Sequence, residues 1–140
     1  MSLSIYQRHL DTIPKQYQLL KLFRPPIYVI ELSNNQVSSV CYYKDGSSKR
    51  HQINADFSNR RMVIADFLQA VQAMTDLLLK FSRHPFGISS FAVVNVTEEL
   101  IDGLTMIEIK AIREAVWAAS GQAKRRIVSS TVSYQGQVVS

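Results

Sequence analysis

The chain has 140 residues, of which 46% are hydrophobic and 19% are charged, and its formal net charge is +5. These fractions are typical of a globular domain and exclude a wholly disordered chain. The single cysteine, Cys41, excludes an internal disulfide bond, and the three scattered histidines leave no ligand set spaced for zinc. No apolar run reaches the roughly 20 residues that a membrane span needs, and the first residues lack signal-peptide features. We therefore expect a soluble, cytoplasmic domain with no transmembrane segment and no metal.

The first 24 residues mix apolar and basic side chains. Pro14 interrupts any single helix, because proline lacks a backbone N–H and clashes with the preceding turn. The pattern predicts a short helix from about Lys15 that ends at Pro25–Pro26, with an N-terminal extension at 1–26 and a domain at 27–140. We expect the extension to pack against the domain or a partner. The alternative is a membrane-surface helix, in which apolar and basic side chains also mix.

Three apolar runs separated by turn-forming residues follow the extension. Polar residues at 33–35, and the sequence Lys44–Ser47 with its Gly46, have the chemistry of tight turns. The pattern predicts a meander of three strands, at 27–32, 36–43 and 48–53.

The spacing of apolar residues then changes to three and four. From Ile64 to Phe81 this spacing predicts an amphipathic helix of about 20 residues that stops before Pro85, with Gly87 beyond it. The next apolar run, at 88–96, predicts a buried strand.

A capping box begins the second predicted helix. In the sequence Thr105-Met106-Ile107-Glu108, the threonine hydroxyl accepts a bond from the third helical N–H, and the glutamate side chain reaches back to the first. Apolar residues between Ile109 and Ala119 form one face of this helix, and Gly121 is the predicted C-terminal cap.

Residues 127–134 form the last predicted strand, and Gln135–Gly136 turns the chain before Val138–Val139. The element order is therefore β-β-β-α-β-α-β. Strands that follow helices favour parallel crossovers, whereas the meander is antiparallel. The sequence predicts an α/β domain with a mixed sheet.

Two short motifs accompany the predicted helices. Met62–Phe67 reads M-V-I-A-D-F, and Thr105–Glu114 reads T-M-I-E-I-K-A-I-R-E. They resemble the G-V-I-A-D-F and T-x-V-E-R-R-A-I-R-E motifs in the first domain of bacterial actins of the MreB type, and Phe91–Val96 matches the strand between them. The resemblance covers about residues 27–128 and implies the ribonuclease-H-like half-domain of an actin.

In that family the first hairpin carries D-L-G-T-A-N, whose turn holds nucleotide phosphates. This chain has Glu31-Leu32-Ser33-Asn34-Asn35-Gln36 there, so the resemblance places Glu31, Ser33, Asn34 and Asn35 at a degenerate phosphate-loop position without its glycine. The resemblance also matches Glu108 to the glutamate that positions the attacking water, which makes Glu108 the residual catalytic candidate; the capping box is its structural alternative. No second glycine-rich phosphate loop follows, and we expect neither ATP hydrolysis nor a bound cofactor.

These observations favour a non-catalytic actin-like module that acts through a protein partner or through self-association. The resemblance implies a link to cell shape or cytoskeletal assembly. One alternative is a nucleotide-binding ATPase completed by a second chain. Another is a basic nucleic-acid-binding domain that uses Lys124, Arg125 and Arg126, whose affinity falls steeply with salt.

Overall fold

The structure is a computed structural model that describes residues 2–11, 13, 15–58, 63–81, 90–97, 103–134 and 137–139. It contains four α-helices, one short 3₁₀ turn and six strands within these residues. In chain order they are α1 (Ser2–Asp11), the 3₁₀ turn (Lys15–Tyr17), α2 (Gln18–Leu22), β1 (Ile27–Ser33), β2 (Gln36–Tyr42), β3 (Ser48–Asn54), α3 (Phe67–Leu79), β4 (Ser90–Val96), α4 (Met106–Ala123), β5 (Ile127–Tyr134) and β6 (Gln137–Val138).

The strands form one mixed sheet in the order β3-β2-β1-β4-β5-β6. Val29 of β1 is opposite Val40 of antiparallel β2 and Val93 of parallel β4. β4 and β5 are parallel, and β6 returns antiparallel to β5. The predicted mixed sheet and the order β-β-β-α-β-α-β are confirmed. The predicted turn at Gln135–Gly136 lies outside the described residues.

The main core lies between the sheet and the helices α3 and α4. Alternate residues of each strand point to the same face, so Tyr28, Ile30 and Leu32 of β1 all face these helices. Burying one such side chain contributes about 1.5–3 kcal/mol. Their partners from the helices include Met74, Leu77, Leu78, Ile112, Ala115 and Val116.

The opposite face of the sheet is covered in part by the N-terminal segment. Tyr6, Leu10 and Ile13 form a second apolar cluster with Ile27, Val29 and Phe91. The hydroxyl of Tyr6 donates a hydrogen bond of 2.7 Å to the carbonyl of Pro25. The predicted helix near Lys15 corresponds to the 3₁₀ turn and α2, but the sequence analysis missed α1.

The bounds of both long helices, α3 and α4, differ from those that the sequence pattern predicts. α3 has 13 residues rather than about 20, because the side chain of Asp66 caps it by accepting from the N–H of Gln69 at 3.1 Å. Ile64 and Phe81 are buried but lie outside the helix. The predicted stop signals, Pro85 and Gly87, lie outside the described residues.

α4 continues past the predicted cap, so the assignment of Gly121 as its C-terminal cap is wrong. The helix ends at Ala123, and Lys124 is the cap with φ of 56°, in the left-handed region. The N–H of Arg125 bonds to the carbonyl of Ser120 at 3.0 Å, which satisfies one of the last free carbonyls of the helix.

No helix in the described part of the chain is long and apolar enough to span a bilayer.

Candidate functional site

The turn between β1 and β2 lies where the phosphate loop of the resembling family is expected. Ser33 ends β1, and Asn34 and Asn35 form the turn. Asn35 has φ of 55°, a left-handed conformation that asparagine adopts more readily than other residues with a side chain. The N–H of Thr97, just after β4, bonds to the carbonyl of Leu32 at 3.0 Å. The turn therefore lies beside the carboxyl ends of two parallel strands.

Asn35 is tied to the segment that follows β3. Its side-chain Oδ1 accepts hydrogen bonds from the backbone N–H of Phe57 at 2.9 Å and of Ser58 at 2.7 Å. Its own N–H donates to Oγ of Ser58 at 3.0 Å, and its carbonyl accepts from Ala55 at 3.1 Å. Backbone N–H groups at such turns are the donors that hold phosphate oxygens in anion-binding loops. Here the N–H of Asn35 is such a donor, and it is bonded to Ser58 within the chain.

Glu31 points to the sheet face opposite α3 and α4. Its neighbours Ile30 and Leu32 are in the main core, whereas the Glu31 side chain is exposed. In register it lies between Ser38 of β2 and Asn95 of β4. The side chain therefore lies on a polar, open part of the sheet.

Glu108 lies at the start of α4, against the opposite face of the sheet. Its N–H donates to Oγ1 of Thr105 at 3.2 Å, which confirms the threonine half of the predicted capping box. The hydroxyl of Thr105 in turn lies 3.4 Å from Oε1 of Glu108. Burial raises the pKa of the Glu108 carboxyl, and hydrogen bonds from Thr105 and the backbone of Val63 lower it in part. Only 5% of Glu108 is exposed, and within the described residues its Oε2 has no hydrogen-bond partner.

Ser58 links the turn to Glu108. Its hydroxyl donates to the carbonyl of Val63 at 2.5 Å, while its Oγ accepts from Asn35. Val63 in turn contacts the Glu108 carboxylate through its backbone. Asn35 and Glu108, both singled out from the sequence, are thus joined by Ser58, which the sequence analysis missed. The only signal for Ser58 is its place in a polar run after β3.

Comparison with known proteins gives the fold. No protein-family model and no curated protein matches the chain. Its structure is similar to the crystal structure of the ethanolamine utilization protein EutJ from Carboxydothermus hydrogenoformans, with a TM-score of 0.50 and 16% identity over 78% of this chain and 37% of EutJ. The PPX-GPPA enzyme of Aquifex aeolicus also matches, with a TM-score of 0.41 and 11% identity over 77% of this chain and 36% of the enzyme. The chain has the fold of an actin-like ATPase half-domain.

The chain spans only a little over a third of each of these structures. At 16% identity, the similarity to EutJ shows the fold alone. The PPX-GPPA match has a lower TM-score and adds no further support. The fold implied by the MreB resemblance is confirmed. The assignment to MreB itself stays a prediction.

The three basic residues of the half-domain that follow α4 have different environments. Lys124 and Arg126 are exposed, whereas Arg125 is 9% exposed. The guanidinium of Arg125 donates through Nε and Nη2 to the carbonyl of Phe81, at 3.2 and 2.7 Å, and through Nη1 to that of Ala123 at 2.7 Å. Its charge is thus directed at carbonyls near the ends of α3 and α4. Only two of the three predicted interaction residues belong to the surface.

The carboxylates of the described residues form no metal-binding cluster. No group of three or more His, Cys, Asp or Glu side chains is close enough to hold an ion in the described ranges. Glu31 and Glu108 project on opposite sides of the sheet, and Asp66 caps α3. Two-metal hydrolysis needs several carboxylates around one space. The described side chains of this half-domain do not supply that arrangement.

Proposed function

We propose that this protein is a non-catalytic actin-like module, related to MreB, that serves as a protein-interaction component in cell shape or cytoskeletal assembly. The observation that carries the proposal is the bonding of the turn at Asn35. The N–H of Asn35, a donor of the kind with which an actin-like turn holds phosphates, is engaged by Ser58, and the Asn35 side chain accepts from Phe57 and Ser58.

The engaged donor weakens phosphate binding at the turn. A nucleotide phosphate that bonds to the Asn35 N–H has to displace one internal hydrogen bond, with a net contribution of about 0.5–1.5 kcal/mol. This weakens binding roughly 2- to 13-fold. The effect adds to the missing glycine, which would let a phosphate come close to the backbone.

The two candidate carboxylates also argue against catalysis. Positioning a metal and an attacking water requires the acidic groups to converge, but Glu31 and Glu108 lie on opposite sides of the sheet. Burial raises the pKa of the Glu108 carboxyl, while hydrogen bonds from Thr105 and the backbone of Val63 lower it in part. This environment is that of a packed helix start.

Exposed apolar side chains support the interaction role. Single exposed apolar residues are normal on a protein surface, but clusters of them indicate interaction sites. Among the described side chains, those with more than 60% exposure are Leu19, Leu22, Phe23, Leu68, Met106, Ile107, Trp117 and Val138. They occur on the N-terminal segment, on α3 and α4, and on β6.

Isothermal titration of Mg-ATP into the purified protein tests the proposal. We expect no measurable heat and no rise in melting temperature at millimolar Mg-ATP. An actin-like ATPase that retains the D-L-G-T-A-N turn, titrated under the same conditions, is the positive control. Binding tighter than about 1 mM, or about 4 kcal/mol, refutes the proposal and restores the ATPase alternative.

A further inference from the structure

A groove lies between α4 and the β5–β6 edge of the sheet. Its volume is about 630 Å³, and its lining includes Tyr17, Met106, Lys110, Arg113, Trp117 and Val128. We call it the α4–β5 groove. This volume is in the usual range for binding sites, about 300–1,000 Å³.

The position of α4 on the sheet creates the groove. Ile109, Ile112 and Val116 turn one side of the helix to the core and the sheet. The next stripe, Met106, Lys110, Arg113 and Trp117, has spacings of four, three and four residues, so it forms one line along the helix. This line lies beside the edge of β5.

The edge of β5 is only partly paired on that side. β6 has two residues, and they are opposite Ser133 and Tyr134. Among the described residues, the stretch Ile127–Thr131 has β4 on one side and no strand on the other. An unpaired edge presents backbone N–H and C=O groups that pair readily with an extended segment.

Trp117 and Met106 are the most exposed apolar side chains of the groove. The Trp117 side chain is 75% exposed although it is the largest apolar side chain of the chain, and Met106 at the other end of the line is 78% exposed. Tryptophan and arginine are the residues most enriched at the energetic centres of protein interfaces. The hydroxyl of Tyr17 donates to the carbonyl of Val128 at 3.4 Å. Tyr17 therefore bounds the groove beside Val128 of β5.

The charge of the groove favours an acidic ligand. Among the described lining residues, Lys110 and Arg113 face a single acid, Glu114. Arg126, which precedes the lining residue Ile127, is exposed and adds to the positive potential. The net charge of +5 makes a second copy of this chain a poor fit to the same surface.

The dimensions set the length of the ligand. From Met106 to Trp117 the helix rises about 16 Å, at roughly 1.5 Å per residue. An extended segment of about five residues spans the same distance at roughly 3.3 Å per residue. The stretch Ile127–Thr131, which has no neighbouring strand on its outer side among the described residues, is also five residues long.

We propose that the α4–β5 groove binds an extended segment of a partner protein, with an acidic residue between two apolar residues, as an added strand on β5. The central acid lies against Lys110 and Arg113, and the flanking apolar side chains lie against Trp117 and Met106. This inference rests on the proposed function, because it names the surface through which the module contacts its partner.

Tryptophan fluorescence tests the proposal directly, because Trp117 is the only tryptophan of the chain. The probe is the capped peptide Ile-Thr-Glu-Thr-Ile, and its matched control has lysine in place of glutamate. We expect the acidic peptide to shift the emission of Trp117 to the blue and to bind about tenfold more tightly than the basic one, a difference of about 1.4 kcal/mol.

Two matched variants locate the effect. Lys110→Glu should abolish or reverse the preference for the acidic peptide. Lys44→Glu makes the same change of charge in the β2–β3 turn, near the far edge of the sheet, and should leave the preference unchanged. No emission shift at millimolar peptide, equal binding of both peptides, or an unchanged preference in Lys110→Glu overturns the groove proposal.

Sedimentation of the free protein adds one further outcome. A dimer that dissociates in Lys110→Glu shows that a second copy occupies the groove, and it also overturns the proposal. These results are separate from the Mg-ATP titration. The groove proposal can therefore fail while the non-catalytic function stands, and Mg-ATP binding can refute that function whatever the peptides do.

Discussion

The buried guanidinium of Arg125 gives the sharpest prediction for stability. Replacing it by alanine removes the charged donors from the carbonyls of Phe81 and Ala123, which lie near the ends of α3 and α4. Hydrogen bonds from a charged donor contribute about 1.5–3 kcal/mol each. Counting one for each carbonyl, we expect Arg125→Ala to lower the free energy of unfolding by about 3–6 kcal/mol. Single domains have only about 5–15 kcal/mol of stability in total.

Urea unfolding followed by circular dichroism measures this loss. With a slope of about 2 kcal/mol per molar urea, the midpoint should fall by about 1.5–3 M. Arg125→Lys should recover only part of the loss. Its single ammonium keeps the charge but cannot donate to both carbonyls with the geometry of the planar guanidinium. Arg126→Ala, at the exposed next position, is the control and should change stability by less than about 0.5 kcal/mol. Equal midpoints for Arg125→Ala and Arg126→Ala would show that the reasoning from these contacts is wrong.

Two further predictions concern the link between the turn and α4. Ser58→Ala removes the hydroxyl that bonds to Val63 and Asn35, and it should lower the free energy of unfolding by about 1–3 kcal/mol. The control, Ser48→Ala at an exposed position of β3, should be close to neutral in the same urea assay. Glu108→Gln should stabilise the protein increasingly as pH rises above 4.5. The reason is that the Glu108 carboxyl has a higher pKa in the folded than in the unfolded protein, so its ionisation lowers the stability of the unaltered protein. A stability difference between Glu108→Gln and the unaltered protein that is constant from pH 4 to about 8 would contradict this sign.

The order of the elements was predictable because local patterns coincide with the fold. The change of apolar spacing after Asn54 separates the meander from α3, and the threonine half of the capping box at Thr105 sets the start of α4. Helix lengths were less predictable. The spacing of apolar residues continues through Ile64 and Phe81, which are buried without being helical, and spacing alone does not distinguish the two cases.

The environments of individual polar residues depended on distant contacts. Lys124, Arg125 and Arg126 form a uniform basic run in the sequence, but only Arg125 turns inward, towards the carbonyl of Phe81, 44 positions away. Asn35 is recognisable as a turn residue. Its bonds to Ser58, 23 positions later, follow from how the chain returns after β3, which no local pattern encodes.

The packing of α1 has a consequence for the order of folding during synthesis. Tyr6 and Leu10 leave the ribosome before Phe91 of β4, which is part of the surface they pack against. At about 5–20 residues per second, roughly 4–16 s separate the two. During this interval the apolar side of α1 can contact only the early strands. The nascent chain therefore exposes the apolar side of α1 before its sheet is complete.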